Sequence, residues 1–296
     1  METSICIVTF NACERLRECL RSLVEHPPRG VYEIIVVDNA SGDNTLAMLT
    51  NEFPQVRVIQ NTKNEGYTRP LNQALSAASG RWLVSLNPDT LLTQDLFNPL
   101  QDFMVDHPEA GIITPKVLNQ DGTLQLQCRR GEARPLEVIG YFLYLDRLFP
   151  RNKILGGYLM RWLPEDEIAE VPAVSGSCML IRRDVIEQVG LFDEQYYAFQ
   201  EDSDLCFRAR QAGWKVFYVP ISSVVHFGGE GGSAVMPYNG VYQWHRSYFL
   251  YYKKNLAKDH FFLFNWFYYA LMALKLAIAM IITFFRKKKV VGTPKT

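Results

Sequence analysis

Ser4–Phe10 (SICIVTF), Glu33–Val37 (EIIVV) and Arg81–Leu86 (RWLVSL) decide the fold. Each is a short apolar run rich in β-branched residues. Each stops at a polar residue: Asn11, Asp38 and Asn87-Pro88-Asp89 respectively. Runs of this length, separated by helix-patterned stretches, read as parallel strands of an α/β sheet buried on both faces. Ligands of open α/β sheets bind just outside the carboxyl ends of the strands. Three strand ends carrying Asn or Asp therefore predict one polar cleft.

Working outward, helical patterns cover Ala12–Glu25, Asp43–Glu52, Tyr67–Ala78 and Gln94–Asp106, with further strands at Val56–Gln60 and Gly111–Leu118. Ser41-Gly42-Asp43-Asn44 reads as a turn with a helix cap, and Ser79-Gly80 as a helix stop. From Asn119 to Val171 periodicity is poor, with scattered Arg, Pro and aromatic residues. This stretch reads as loops and short helices suited to a variable second substrate. Order returns with a strand at Gly176–Arg183, a short helix, a helix at Asp202–Ala212 and strands at Lys215–Val219 and Ser223–Phe227. A flexible glycine loop follows at Gly228–Ser233.

The chain has 296 residues and 31 basic against 31 acidic side chains, so no net field draws it to nucleic acid. Six cysteines without a CxxC pair read as reduced, buried thiols of a cytosolic compartment. A chain that enters its first strand by Ser4 leaves no room for a signal peptide, so the catalytic body is expected to stay in the cytoplasm.

Four groups of residues can do chemistry. Asp89, at a strand end beside Pro88, offers hard oxygen donors to a divalent cation, although Asn-Pro-Asp also favours a plain turn. His226 can complete such a site if other oxygens, such as those of a diphosphate, fill the shell; a hydrogen-bonded surface histidine is the simpler alternative. Gln200-Glu201-Asp202-Ser203-Asp204 crowds carboxylates into the first turn of a helix, where the dipole favours their ionised form. Asp202 there can act as general base, or can merely cap the helix; Asp204 is placed to pair with Arg208 at i,i+4. Asp38 can accept a nucleobase N–H or a ribose hydroxyl, or cap the next helix. Arg69, after Asn64-Glu65-Gly66, is a basic group ahead of a helix where a phosphate can settle, and solvated loop polarity accounts for it equally well.

In order along residues 4–230, IVTFNACERLRECLRSL, IIVVDNASGDNT, NEGYTRPLNQAL, WLVSLNPDT, VSGSCMLIRRDVIEQVGLFDE, EDSDLCFRARQAGWKVFYVP and VVHFGG resemble family 2 glycosyltransferases of the GT-A fold, in their rhamnosyltransferase-like branch. The resemblance implies a mostly parallel sheet flanked by helices. It implies a catalytic domain over 1–235, with a nucleotide-binding half (1–118) and an acceptor-side half (119–235), followed by a helical, membrane-associated extension over 236–296. It implies that Thr9, Phe10, Asn11, Asp38, Asn64, Gly66 and Asn72 hold the nucleoside sugar. Asn87 and Asp89 stand at the family's DxD motif, with Asn87 in place of its first acid. Asp89 and His226 are the implied ligands of Mg²⁺ or Mn²⁺. Asp202 matches the catalytic base, with Glu201 beside it, and Ser175, Gly176 and Ser177 lie near the sugar or acceptor.

The implied activity is inverting hexosyl transfer, with dTDP-rhamnose a candidate donor and a glycan or lipid-linked saccharide the acceptor, in cell-surface polysaccharide synthesis. A non-catalytic nucleotide-sugar-binding membrane scaffold is the alternative from another class. Sugar nucleotidyltransferases and nicotinamide dehydrogenases want a glycine-rich loop after the first strand, and TFNACERLR has none.

Phe261–Phe285 (FFLFNWFYYALMALKLAIAMIITFF) is apolar and aromatic, long enough as a helix to cross a bilayer core of about 30 Å. Lys275 lies near its middle, and basic residues flank both ends: Lys253, Lys254 and Lys258 before, Arg286–Lys289 after. Basic flanks on both sides favour an in-plane or re-entrant helix on the cytoplasmic leaflet of the inner membrane over a single span, with a dimerisation helix the soluble alternative.

Overall fold

The computed structural model describes residues 1–228 and 237–285. The glycine loop from 229 onward, the boundary at 235/236 and the basic run 286–289 lie outside the described residues. In chain order the elements of the first half are β1 (Thr3–Thr9), α1 (Cys13–Glu25), β2 (Tyr32–Asp38), α2 (Thr45–Glu52), β3 (Arg57–Gln60), α3 (Thr68–Ala77), β4 (Trp82–Leu86), β5 (Thr90–Leu91), α4 (Phe97–Asp106) and β6 (Ala110–Leu118). The irregular stretch contributes β7 (Arg129–Arg130), α5 (Pro135–Phe142), α6 (Leu145–Leu148), β8 (Ala169–Glu170) and β9 (Ala173–Val174). Then come β10 (Cys178–Arg182), α7 (Arg183–Val189), α8 (Glu201–Gln211), β11 (Lys215–His226), α9 (Pro237–Tyr251) and α10 (Phe262–Phe285).

The main sheet runs β3-β2-β1-β4-β10-β6-β11-β5, with β8 on the outer part of β11. The β3-β2-β1-β4 half is parallel, and β10 is antiparallel to both neighbours. Every residue of β1 and β4 is buried, as expected of central strands covered by helices on both faces. All six cysteines are free and buried.

Two expectations are corrected. The strands read at Lys215–Val219 and Ser223–Phe227 are one strand, β11, paired parallel with β6 through both halves. Its register shifts between Tyr218 and Ser223, around Pro220. A proline has no N–H to give to the ladder, and the strand absorbs it as an irregularity instead of ending. Helix α4 starts at Phe97, not Gln94, because Asp95 turns its carboxylate to the Asn98 N–H (3.2 Å).

A second apolar cluster, rich in tyrosine, joins the irregular stretch to the C-terminal helices: Tyr158, Tyr196, Tyr248, Tyr251, Tyr252 and Tyr268 are buried together. Helix α9 is tied to the loop before α8 by Arg246 donating to Gln195 O (2.7 Å) and Ser247 donating to Ala198 O (2.8 Å). Lys254, expected as a membrane-flanking base, instead pairs with Asp193 (2.7 Å) and Asp204 (2.8 Å).

Candidate active site

The polar residues read from the sequence gather at the carboxyl ends of β1, β2 and β4. Thr9 and Asp38 are register partners on adjacent parallel strands. Both are buried, and Thr9 Oγ1 and Asp38 Oδ1 have no hydrogen-bond partner among the described residues. Asp38 Oδ2 accepts from Ser41 N (3.2 Å), which caps the turn and leaves Oδ1 for a ligand. Buried polar atoms are nearly always satisfied, so two adjacent orphans at strand ends suit a ligand rich in hydrogen-bonding groups. Asn11 adopts a left-handed φ of 50° and locks the turn, accepting from Gly42 N (2.7 Å). Phe10 sits half-buried at the rim beside it.

Asn64, Gly66 and Asn72 reach the same region but are occupied. Asn64 Oδ1 accepts from Asn39 Nδ2 (2.9 Å), Gly66 N (2.9 Å) and Tyr197 Oη (3.0 Å). Gly66 has φ 88°, and a Cβ there would meet Tyr197 O at 2.5 Å, so only glycine fits. Asn72 exchanges both amide bonds with Phe192 (2.8 and 3.1 Å) and braces the 192–194 segment. Arg69 pairs with Glu65 (2.9 Å) and Glu194 (3.0 Å) at the surface.

Asp89 and His226, 137 residues apart, meet because β11 pairs antiparallel with β5 and sets His226 opposite Thr90. His226 Nε2 lies 3.2 Å from Asp89 Oδ1 and 3.0 Å from Asn87 Nδ2. Gln125 fixes the tautomer. Its Nε2 donates to Asn119 Oδ1 (3.3 Å), which turns its Oε1 toward His226 Nδ1 (2.7 Å) to accept that proton. The Nε2 lone pair then accepts from Asn87 Nδ2 and lies beside the Asp89 carboxylate, so a cation held by Asp89 and His226 together would displace the Asn87 contact. Among the described residues no cluster of three His, Cys, Asp or Glu side chains forms, so further donors must come from a ligand or water.

On the other side, Asp202 opens α8. Its Oδ2 pairs with Arg130 (2.6 Å) and accepts from Gly176 N (3.0 Å), while Oδ1 accepts from Ser203 N (2.7 Å). Arg130 comes from β7, held beside β9, where its Nη2 also donates to Val174 O (3.1 Å). The expectation that the helix dipole keeps all three carboxylates ionised fails for Glu201. Burial first, then the Asp202 charge, pushes the Glu201 carboxyl up to about 8, so it is mostly protonated at neutral pH. Asp204 is fully buried and structural: it pairs with Arg208 (2.8 Å) and Lys254 and accepts from Asn255 Nδ2 (3.1 Å). Phe199 and Gln200, just before Glu201, both have left-handed backbones (φ 69° and 64°). This strained entry aims Asp202 and is held by the contacts from α9.

The two sides are joined by hydrogen bonds. Gly176 gives its N–H to Asp202, and its carbonyl accepts from Ser85 Oγ (3.0 Å) with Tyr67 Oη 3.4 Å away. The one Tyr67 phenol proton goes to the nearer Asn87 Oδ1 (3.2 Å), and Asn87 reaches His226. Ser175 and Ser177 flank Gly176, the latter's buried Oγ without a partner among the described residues. Tyr67, Gln125 and Arg130 were missed by sequence reasoning. Tyr67 alone left a signal, as the aromatic after Asn64-Glu65-Gly66.

Residues 4–190 match the profile of glycosyl transferase family 2. An N-acetylglucosaminyl-diphospho-decaprenol L-rhamnosyltransferase of Mycobacterium tuberculosis is 30% identical over 230 residues, 74% of each chain. The low-salt glycan biosynthesis hexosyltransferase Agl10 of Haloferax volcanii is 23% identical, over 76% of this chain and 67% of that protein. Solved structures share the fold at lower identity. GalNAc-T7 with UDP, GalNAc and Mn²⁺ has a TM-score of 0.61 at 19% identity, covering 86% of this chain and 48% of that one. The mannosyltransferase PcManGT of Pyrobaculum calidifontis with GDP-Man and Mn²⁺ has a TM-score of 0.59 at 17% identity, covering 95% of this chain and 72% of that one. By its matched profile and by these relatives, the chain belongs to glycosyl transferase family 2 and is a glycosyltransferase of GT-A fold.

Proposed function

We propose that this glycosyltransferase moves a single sugar from a nucleoside diphosphate donor, with rhamnose the first candidate, onto a lipid-linked saccharide at the cytoplasmic membrane surface, with inversion at the anomeric carbon, in cell-surface polysaccharide synthesis. One observation carries the reading. The Asp202 carboxylate and the Asp89/His226 pair are linked through Gly176, Tyr67 and Asn87, which puts both at the carboxyl end of the central strands. A base and a diphosphate end on opposite sides of one sugar site are what in-line displacement needs. The name of the mycobacterial relative supports the donor sugar and the acceptor class.

In this mechanism Thr9 and Asp38 hold the nucleoside, and Asp202 takes the proton of the acceptor hydroxyl as that oxygen attacks the anomeric carbon. Arg130 and the Gly176 N–H fix the carboxylate through Oδ2, and the incoming hydroxyl would take the place of the long Ser203 Oγ contact (3.4 Å) on Oδ1. The buried Tyr67 phenol, its pKa raised by desolvation, stays a donor at neutral pH and holds Asn87 in place. Asp89 and His226 would hold Mg²⁺ or Mn²⁺, which offsets charge on the departing diphosphate.

The membrane side of the proposal rests on α10. Its less exposed positions, 264, 268, 272, 275 and 279, recur at helical spacing and face the protein, while Phe262, Trp266, Phe267, Ile278, Ile281 and Phe285 stand exposed. Lys275 lies on the inner stripe, 2.9 Å from His245 Nε2 and over the Phe142 ring (3.6 Å), so its charge is met by protein. The contacts Tyr252–Tyr268, Phe249–Tyr269 and His245–Lys275 lay α10 antiparallel along α9. Beyond Lys275 the described part of α10 covers residues 276–285, about 15 Å of helix against a bilayer core of about 30 Å. A helix bound to the catalytic body over its first half lies in the interface instead of crossing it.

The test is direct transfer. Detergent-solubilised full-length enzyme is given dTDP-rhamnose and competing nucleotide sugars, an N-acetylglucosaminyl diphospholipid, and Mn²⁺ or chelator. Transfer with an inverted anomeric configuration is expected. Donor binding with neither hydrolysis nor transfer would overturn the reading in favour of a scaffold.

A further inference from the structure

We infer that the α5–α6 segment of the irregular stretch is a second lipid-contact surface, built to dock on an anionic bilayer. The inference rests on the membrane reading of α10 and extends it to the catalytic body. Residues 147–154 (RLFPRNKI) are all exposed and interleave apolar with basic side chains. Leu143 is 62% exposed, Leu148 71%, Phe149 52% and Ile154 56%, with Leu136 (59%) and Tyr144 (51%) beside them. Such a density of bare large side chains in one short segment marks an interaction surface.

The charge is equally one-sided. Arg134, Arg147, Arg151 and Lys153 make no ion pair among the described residues; Arg147 lies over the Tyr144 ring (5.0 Å) and Lys153 over the Trp162 ring (4.9 Å). The acids of the segment are withdrawn. Asp146 is buried against Arg161 (2.7 Å), and burial raises the Glu137 carboxyl above its usual range. In a chain of zero net charge this is a local concentration of free cations among apolar side chains. That combination fits anionic headgroups above acyl chains, where each Lys or Arg near the surface contributes about 1 kcal/mol.

Continuity fixes the occupant. Phe142, the last residue of α5, packs under Lys275 (3.6 Å) and against Trp244 (5.3 Å), so Leu143 and Tyr144 emerge beside the middle of α10. The two bare surfaces meet there. The same stretch carries Arg130, which holds Asp202, so docking of this surface would bring the base to where a lipid-linked hydroxyl arrives.

The experiment is vesicle sedimentation of the full chain with phosphatidylglycerol-containing or pure phosphatidylcholine vesicles. Three combined variants are compared: Arg147→Gln/Arg151→Gln/Lys153→Gln, Leu148→Ser/Phe149→Ser, and Trp266→Ser/Phe267→Ser in α10. Thermal melting checks that each folds as the parent does. The charge variant is expected to bind anionic vesicles roughly 10²-fold more weakly, three cations at about 1 kcal/mol each, with no change on neutral vesicles. The Leu148/Phe149 variant is expected to weaken binding to both. Parent-like binding by both variants, with loss only in the Trp266/Phe267 variant, would overturn this surface and leave α10 as the anchor. A parent chain that binds neither vesicle would remove the membrane reading and this surface with it.

Discussion

The donor side and the base side of the cleft are built by different physics. On the donor side, Thr9, Asp38 and Asp89 sit at or just past ends of adjacent parallel strands, and sheet hydrogen bonds fix their spacing. On the base side, Asp202 depends on a buried ion pair to Arg130, 72 residues earlier, and on two consecutive left-handed residues held by α9. A strand-end site is rigid because the whole sheet would have to slip to disturb it. An ion-paired site can be undone by one side chain. The sharpest test of the contrast is Arg130→Met. It leaves a buried carboxylate without its cation, a change that costs about 3–5 kcal/mol. Urea unfolding should show that loss, and Arg130→Lys should recover part of it. A parent-like midpoint for Arg130→Met would mean that the base side does not lean on this pair.

Chemistry separates the sides next. Asp202→Asn keeps the fold contacts of Gly176 and Ser203 within reach but removes the proton acceptor. Transfer should fall roughly 10²-fold or more, about 2.7 kcal/mol, with donor affinity intact by calorimetry. Near-normal turnover would take Asp202 out of its role. Asp89→Ala acts on the opposite side. It should weaken donor binding about tenfold in Mn²⁺, near 1.4 kcal/mol, and leave binding in chelator unchanged. Equal donor affinity with and without the metal, in parent and variant alike, would argue against a cation at Asp89 and His226.

The same contrast explains what the sequence disclosed. Asp38, Asn87 and Asp89 were legible because a buried parallel strand leaves a continuous apolar run, and the first polar residue after it marks the cleft. His226 followed from the strand before it, even though Pro220 disguised β11 as two pieces. Arg130 could not be read. It lies on a two-residue strand in a stretch without periodicity, and a long-range ion pair imposes no spacing on the chain. Lys254 was read as a membrane flank because only the fold brings Asp193 and Asp204 against it. Gln125 fixes the His226 tautomer from a loop, where one polar residue looks like any other. Asp202 was identified through the family pattern; its carboxylate-rich helix start, taken alone, reads equally well as a cap.

The remaining comparison probes the base side through pH, one small step at a time. Glu201 is buried beside Asp202, and its carboxyl is raised from 4.5 to about 8, first by desolvation and then by that charge. Between those values the folded chain holds a proton that the unfolded chain has released. Stability from this group is therefore fully present below pH 4.5 and is lost as pH rises toward 8, at about 1 kcal/mol for each pH unit in that window. Glu201→Gln keeps the shape and cannot ionise. Relative to the parent, the variant should gain stability steadily as pH rises from 5 to 8, read as the difference between urea midpoints at each pH. Parallel curves for Glu201→Gln and parent would mean that Glu201 is ionised beside Asp202. Arg130 would then be neutralising two carboxylates, and the two sides of the cleft would differ less than the geometry implies.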